Sequence, residues 1–205
     1  MSNSIYITSS CIISNHIVYK NGQPIFENKG LAISDFLVSV YRYLNNQYPK
    51  FHKMDNLSKL GWLACELLLQ NSFDAAKYKP EETGIVLSNK NSSLDTDTRY
   101  LQTTNEIPSP ALFVYTLPNI MIGEIAITHG FKGENAFFIF DEFDAAFVQQ
   151  YVNNLLNCNI LQCCICGWVE LLNNEYKAAL FLIEKNKSAN SIIFTKENLI
   201  KIYQV

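Results

Sequence analysis

Between Ala32 and Asn45 the apolar residues Ile33, Phe36, Leu37, Val40 and Leu44 return every three or four positions, which gathers them on one stripe of a helix. The spacing recurs after Asp55. Leu57, Leu60, Ala64 and Leu68 form the buried face of a second helix, and Asp55 is placed to cap it. Other stretches lack that period. Ile5 to Val18 is enriched in Ile, Tyr and Val, with Asn15 near a turn, and reads as strand; Asn21-Gly22 marks the next tight turn. Thr83–Leu87 is a short buried strand after the break at Pro80. A polar loop, SNKNSSLDTDTR, then leads to a helix around Asp95–Leu101, and Pro108 and Pro110 break the chain again.

The segment around which the rest is organised runs from Ser109 to Glu142. Leu117–His129 is almost wholly apolar and predicts a helix, with Thr116 to cap it, Pro118 in its first turn and Gly130 to close it. Gly133 turns the chain into the run Ala136–Phe140, AFFIF, which predicts a strand buried on both faces. Phe143–Leu156 is a third amphipathic helix. Phe143, Phe147, Tyr151 and Leu155 share one side, and Gln149, Gln150, Asn153 and Asn154 the other. Ile160–Val169 and Tyr176–Glu184 read as strands, Asn186–Asn190 as a turn, Ile192–Phe194 as a short hairpin strand and Thr195–Tyr203 as a capped helix.

Strands interspersed with helices predict an α/β protein, a mixed, mostly parallel sheet of about five strands with helices packed on it. At 205 residues one core suffices, and residues 1–205 are read as a single domain. Only 17% of residues are charged and 48% are hydrophobic, with thirteen Phe and eleven Tyr, so part of the surface is expected to be covered by a partner. A net charge of −3 without a basic block excludes the electrostatic footprint of a nucleic-acid binder. The start MSNSIYITSS has no basic region followed by an apolar one, and no apolar run approaches the ~20 residues of a membrane span. Six cysteines without a secretory signal then imply reduced thiols and a cytoplasmic protein.

Candidate chemistry is sparse. Cys163, Cys164 and Cys166 fall inside a predicted strand, where neighbours point to opposite faces, so with Cys158 they read as small thiols rather than a zinc site. His129 sits where a cation suits the end of a helix, His16 is in a loop and His52 precedes a helix. Asp95 and Asp97 lie in a polar loop without calcium-site spacing. No Ser/His/Asp arrangement, HExxH or phosphate loop is present, and no metal or cofactor is expected.

The stretch from Pro110 and Phe113 to Tyr115-Thr116-Leu117-Pro118-Asn119 resembles the middle of the N-terminal half of a β-ketoacyl-acyl-carrier-protein synthase, a condensing enzyme of the thiolase-like fold. Lys53-Met54-Asp55 with Ser58, the strand Thr83–Leu87, Gly167-Trp168-Val169-Glu170 and the strand ending at Glu184 are similar to further pieces of that family. The likeness covers roughly the whole chain but one repeat of the two in a condensing enzyme. In the family the strand equivalent to Ala136–Phe140 delivers a nucleophilic cysteine; here it delivers Asp141 and Glu142. Glu142 and Glu170 stand 28 positions apart (170 − 142), the separation of the family's cysteine and glutamate.

The resemblance implies a half-length, non-catalytic homologue that works by association. Its partners would be a competent condensing enzyme or an acyl carrier protein, in a fatty-acid, polyketide or aryl-polyene-type pathway. Acyl transfer needs an activated thiolate, and the histidines that assist it belong to the family's other repeat. Asp141 and Glu142 then read as an N-cap and first-turn acid. The alternative is altered chemistry on an acyl thioester with Glu142 as a general base poised by burial. Tyr115, Pro118 and Asn119 read as fold maintenance, with Asn119 satisfying an orphan amide. In the thiolase-like fold the strand leading to the nucleophile pairs with its copy across a two-fold axis. That makes Ala136, Phe137, Phe138, Ile139 and Phe140 the expected interface, with Phe138 near the axis, in a homodimer or a heterodimer with a synthase subunit.

Overall fold

The computed structural model describes residues 4–205. Strands β1 (Tyr6–Ser14), β2 (Ile17–Lys20) and β3 (Gln23–Glu27) form two successive hairpins. Each turn has two residues with positive φ: Asn15 (51°) and His16 (62°), then Asn21 (51°) and Gly22 (77°). That is the geometry that matches strand twist, and Asn and Gly are the residues that tolerate it. Asn21 adds a bond of its own, its Oδ1 accepting from the Ser10 N–H at 2.8 Å. Next come α1 (Ile33–Leu44), α2 (Asn56–Leu69), β4 (Thr83–Asn89), α3 (Leu94–Thr103), α4 (Pro110–Phe113), α5 (Ile120–His129), β5 (Asn135–Ile139), α6 (Ala145–Asn157), β6 (Cys163–Leu172), β7 (Glu175–Glu184), β8 (Ile192–Ile193) and α7 (Lys196–Tyr203).

All strands belong to one mixed sheet of order β3-β2-β1-β7-β6-β4-β5, with β8 on β1. It has eight strands rather than about five, because the N-terminal hairpins and β8 extend it beyond β1. Only β4 with β5 and β4 with β6 are parallel; the other pairings are antiparallel, so the sheet is less parallel than expected. The cause is local. β6 reaches β7 through the short turn Asn173-Asn174, and a turn of that length permits only an antiparallel neighbour.

Helices cover both faces. On one, Phe36, Leu37 and Val40 of α1, nearly all of α2, and Met121, Ile122 and Ile125 of α5 pack on Cys11, Ile13, Ile85, Leu87, Cys163 and Ile165. On the other, Val148, Val152, Leu155 and Leu156 of α6 and Leu199 of α7 pack on Ile12, Val86, Cys164, Cys166, Phe181 and Ile183. Strand alternation thus sends Cys163 to one core and Cys164 and Cys166 to the other. α2 starts as the sequence predicts: Asp55 Oδ1 accepts from the Ser58 N–H at 2.9 Å, while Oδ2 accepts from the Thr96 hydroxyl at 2.6 Å and ties α3 to the helix.

Two boundaries differ from expectation. α5 begins at Ile120, because Val114–Thr116 close into a separate 3₁₀ turn and Leu117 is extended; Thr116 and Pro118 lie ahead of the helix, and Asn119, the cap position, makes no side-chain capping bond. Its end matches, with Gly130 left-handed at φ 71°. α6 begins at Ala145, because Asp144 is its cap and accepts from the Phe147 N–H at 2.9 Å. Asp141 and Glu142 therefore stand outside the helix as exposed turn residues.

Candidate functional site

β4 and β5 run parallel and release the chain on the same side of the sheet. After β5 the Phe140 N–H donates to the Asn89 carbonyl at 2.9 Å, and the chain then turns through Asp141 and Glu142. Phe143 folds inward and stacks on Tyr203 of α7 with ring centres 4.7 Å apart. Lys177 covers the other side of this group, its Nζ 4.3 Å from the Tyr203 ring centre and donating to the Tyr203 carbonyl at 2.6 Å. Burial, and then the charges of Glu170 and Glu142, raise the Tyr203 phenol above its ordinary pKa. Glu170 has a holding role. Its carboxylate accepts from the Lys90 N–H (2.7 Å), the Asn91 N–H (3.1 Å) and the Asn91 side-chain amide (3.1 Å), fixing the loop after β4. Glu142 is exposed, so the burial that would poise it as a base is missing.

β5 is an edge strand, and this overturns the expectation of burial on both faces. Ala136, Phe137 and Phe138 are only partly buried, and Ile139 is 50% exposed. An apolar run has the same sequence whether the strand lies in the middle of a sheet or at its rim. The hydrogen bonds define the free side. Glu134 accepts from the Ile85 N–H and Phe140 donates to Asn89, so alternate residues from 134 to 140 face β4. The N–H and C=O groups of Asn135, Phe137 and Ile139 consequently point away from the sheet, and no strand pairs with them among the described residues. Phe138 belongs to an aromatic group with Phe147 (4.8 Å), Tyr151 (5.2 Å) and Phe140 (5.8 Å), on the α6 side. The chain leading to β5 exposes more apolar surface: Phe113, Val114 and Leu117 before α5, and Ile127 on it, at 69%.

α5 also holds a residue that the apolar pattern hid. Glu124 is 3% exposed; it accepts from the Tyr115 hydroxyl at 3.1 Å and lies 2.8 Å from Lys50 Nζ. A buried carboxylate needs both kinds of partner. Burial and then the Glu124 charge push the Tyr115 phenol up. A lone Glu amid Ile120–Thr128, IMIGEIAIT, was the available signal. The histidines are engaged elsewhere: His129 with Glu66 at 2.7 Å, His16 with the Leu31 carbonyl at 2.9 Å, and His52 edge-on to Tyr41 and Phe51. Cys11, Cys65, Cys163, Cys164 and Cys166 are buried free thiols, and Cys158 is exposed. Among the described residues no group of three or more His, Cys, Asp or Glu could hold a metal ion, and no single helix is long and apolar enough to cross a membrane.

No family model and no curated sequence matches the chain. Solved structures do. The ishigamide ketosynthase/chain length factor superposes with a TM-score of 0.63 at 19% identity, over 93% of this chain and 64% of that one. The fold is thiolase-like, of the ketosynthase type. A chain from the complex of a type II polyketide synthase acyl-carrier protein with its hexaketide-bound ketosynthase matches with a TM-score of 0.60 at 16% identity, over 90% of this chain and 63% of its own. A chain of the ketosynthase–chain length factor complex from Xenorhabdus doucetiae gives a TM-score of 0.60 at 13% identity, over 98% of this chain and 90% of its own. The chain described here thus spans just under two thirds of the first two and nearly all of the third.

Proposed function

We propose that the protein is a non-catalytic ketosynthase homologue, an accessory subunit that pairs through β5 with a competent condensing enzyme. It works in fatty-acid, polyketide or aryl-polyene-type biosynthesis in the cytoplasm, where an acyl carrier protein is the alternative partner. The observation that carries this reading is the unpaired β5 edge, which offers the backbone groups of Asn135, Phe137 and Ile139 beside exposed apolar side chains. Such an edge is a template for another strand, and soluble proteins cover it or blunt it with charge. β5 has no charged residue. Two of the similar structures are described as a ketosynthase with a chain length factor, which supports a paired arrangement.

The chemistry of the turn after β5 supports a non-catalytic role. Glu142 stands where the resemblance puts a thiol, and a carboxylate is a poor acyl acceptor. Cys158, the exposed thiol, lies at the other end of α6, a helix about 20 Å long by its residue count. The buried thiols are held protonated, since burial raises their pKa values. The alternative role for Glu142, as general base on an acyl thioester, lacks the buried setting that would tune it.

The test is co-expression with a full-length ketosynthase from the same genome, followed by size-exclusion chromatography with light scattering. A stoichiometric complex that Ile139→Lys abolishes supports the reading. Mass spectrometry after incubation with acyl-carrier-protein thioesters supplies the second arm: a stable acyl adduct on any cysteine refutes the non-catalytic assignment.

A further inference from the structure

Helix α6, AAFVQQYVNNLLN, has no charged residue in thirteen positions. Its inner stripe, Ala145, Val148, Val152, Leu155 and Leu156, is buried on the sheet. The opposite side carries Ala146, Gln150, Asn154 and Asn157 in the open, with Asn153 half-buried beside them. A helix facing water ordinarily carries charge there. α7, with eight residues, has Lys196, Glu197 and Lys201, and α1 has Asp35 and Arg42. Depletion of charge with retention of hydrogen-bonding groups is the composition of an interface centre.

The spacing and the charges name the occupant. Ala146, Gln150, Asn153 and Asn157 are separated by four, three and four residues, the rhythm of a seam along which two helices lie side by side. Amide side chains both donate and accept, so a stripe of them complements its own copy, which a stripe of one charge cannot do. The ends set the direction. Exposed Asp141 and Asp144 flank Glu142 before the helix, whereas Lys185 reaches its far end, donating from Nζ to Asn159 Oδ1 at 2.7 Å. An antiparallel arrangement brings each acidic end to the partner's lysine end and opposes the helix dipoles; a parallel one sets acid against acid.

We infer that α6 is the contact between two copies of this chain, packed antiparallel about a two-fold axis, with Gln150 opposite the partner's Asn153. Half-buried Phe147 and Tyr151 form its apolar flank toward β5. This surface is the broad face of the molecule and not the sheet edge, so it stands independently of the pairing with a condensing enzyme.

Sedimentation velocity of the isolated full chain across the micromolar range tests it. The wild type should show a monomer–dimer equilibrium. Gln150→Lys with Asn153→Lys, which sets like charges across the axis, should weaken it by about 100-fold or more. Gln150→Lys with Asn153→Glu, which sets opposite charges across it, should return dimerisation to within about tenfold of wild type. Both positions are solvent-accessible on a formed helix, and circular dichroism confirms that each variant is folded. Ile139→Lys should leave the homodimer unchanged. A monomeric wild type, a dimer indifferent to the paired lysines, no recovery in the mixed-charge variant, or loss of the homodimer in Ile139→Lys overturns the inference.

Discussion

Alkaline pH should unfold this protein through its cysteines. Five thiols, Cys11, Cys65, Cys163, Cys164 and Cys166, are buried and free. Burial pushes Cys11 from an ordinary value of 9.0 up to about 12, and raises the other four for the same reason. A group whose pKa is higher folded than unfolded supports the fold fully below its unfolded value, and that support is lost as pH rises toward the folded value. The window opens near 9 and, for Cys11, closes near 12. One pH unit above the unfolded value each thiol has forfeited about 1.4 kcal/mol, so the five together forfeit about 7 kcal/mol. That is comparable to the whole stability of an ordinary domain, about 5–15 kcal/mol. The raised phenols of Tyr78, Tyr115, Tyr176 and Tyr203 add in the same direction at higher pH. Lys20, Lys59 and Lys177, whose pKa values burial lowers, oppose the loss, but all three are only partly buried and their share is small.

The assay is denaturant unfolding under reducing conditions at several values from about pH 8 to about pH 10. Stability should fall steeply over that interval. Cys163→Ala with Cys164→Ala and Cys166→Ala removes three of the five groups. The triple variant starts less stable, but its decline with pH should shrink to about two fifths of the wild-type decline. The slope is therefore the readout. A flat wild-type profile, or a triple variant as steep as wild type, would show that the thiols do not govern the alkaline limit.

Replacing Phe138 by Asp should cost about 3 kcal/mol as well as any partner, because the ring packs on Phe147 and Tyr151; Ile139→Lys should abolish pairing while leaving thermal stability almost unchanged, which differential scanning fluorimetry and co-purification separate. Lys50→Met should destabilise by about 2–3 kcal/mol because it strands the buried Glu124 carboxylate, Glu124→Gln by about 1 kcal/mol, and the double variant should be more stable than Lys50→Met alone in urea melts. Gly167→Ala should fail to accumulate as soluble protein: Gly167 sits at φ 149°, and an added Cβ would strike the Ala179 carbonyl of the paired strand β7. Normal yield and melting temperature would contradict it.

The elements that the sequence predicts well are those decided within a few residues. Asn15 and Asn21-Gly22 mark turns whose positive φ few other residues accept, α1 spans Ile33–Leu44 along its apolar stripe, and Asp55, Thr195 and Gly130 occupy cap positions with the expected geometry. Where two candidates compete, the nearer hydrogen bond wins. Asp144 displaces Asp141 as the α6 cap because it directly precedes the first helical residue, and the aromatic stripe from Phe147 to Tyr151 yields the core to Val148 and Val152 because Phe138 and Phe140 hold those rings to one side. The placing of β8 is a tertiary matter. β8 pairs Ile192 with Ile7, a partner far away in sequence that no local pattern announces.

The candidate site was legible as a segment and illegible in its environment. The run AFFIF is a strand, as its composition requires; its composition does not tell rim from centre, whereas the resemblance puts its free edge at an interface, and the sheet order gives β5 a neighbour on one side alone. This difference bears directly on function. Had AFFIF been central, its apolarity would be explained by the core and would say nothing about partners. At the rim β5 leaves the backbone groups of Asn135, Phe137 and Ile139 and a half-exposed Ile139 side chain facing outward, with no charge, proline or bulge within the strand to prevent another strand from adding. Glu142, in the turn after this strand, is exposed and lacks the burial that would poise a carboxylate as a base. Edge and carboxylate together support the proposed pairing over a reaction at this turn.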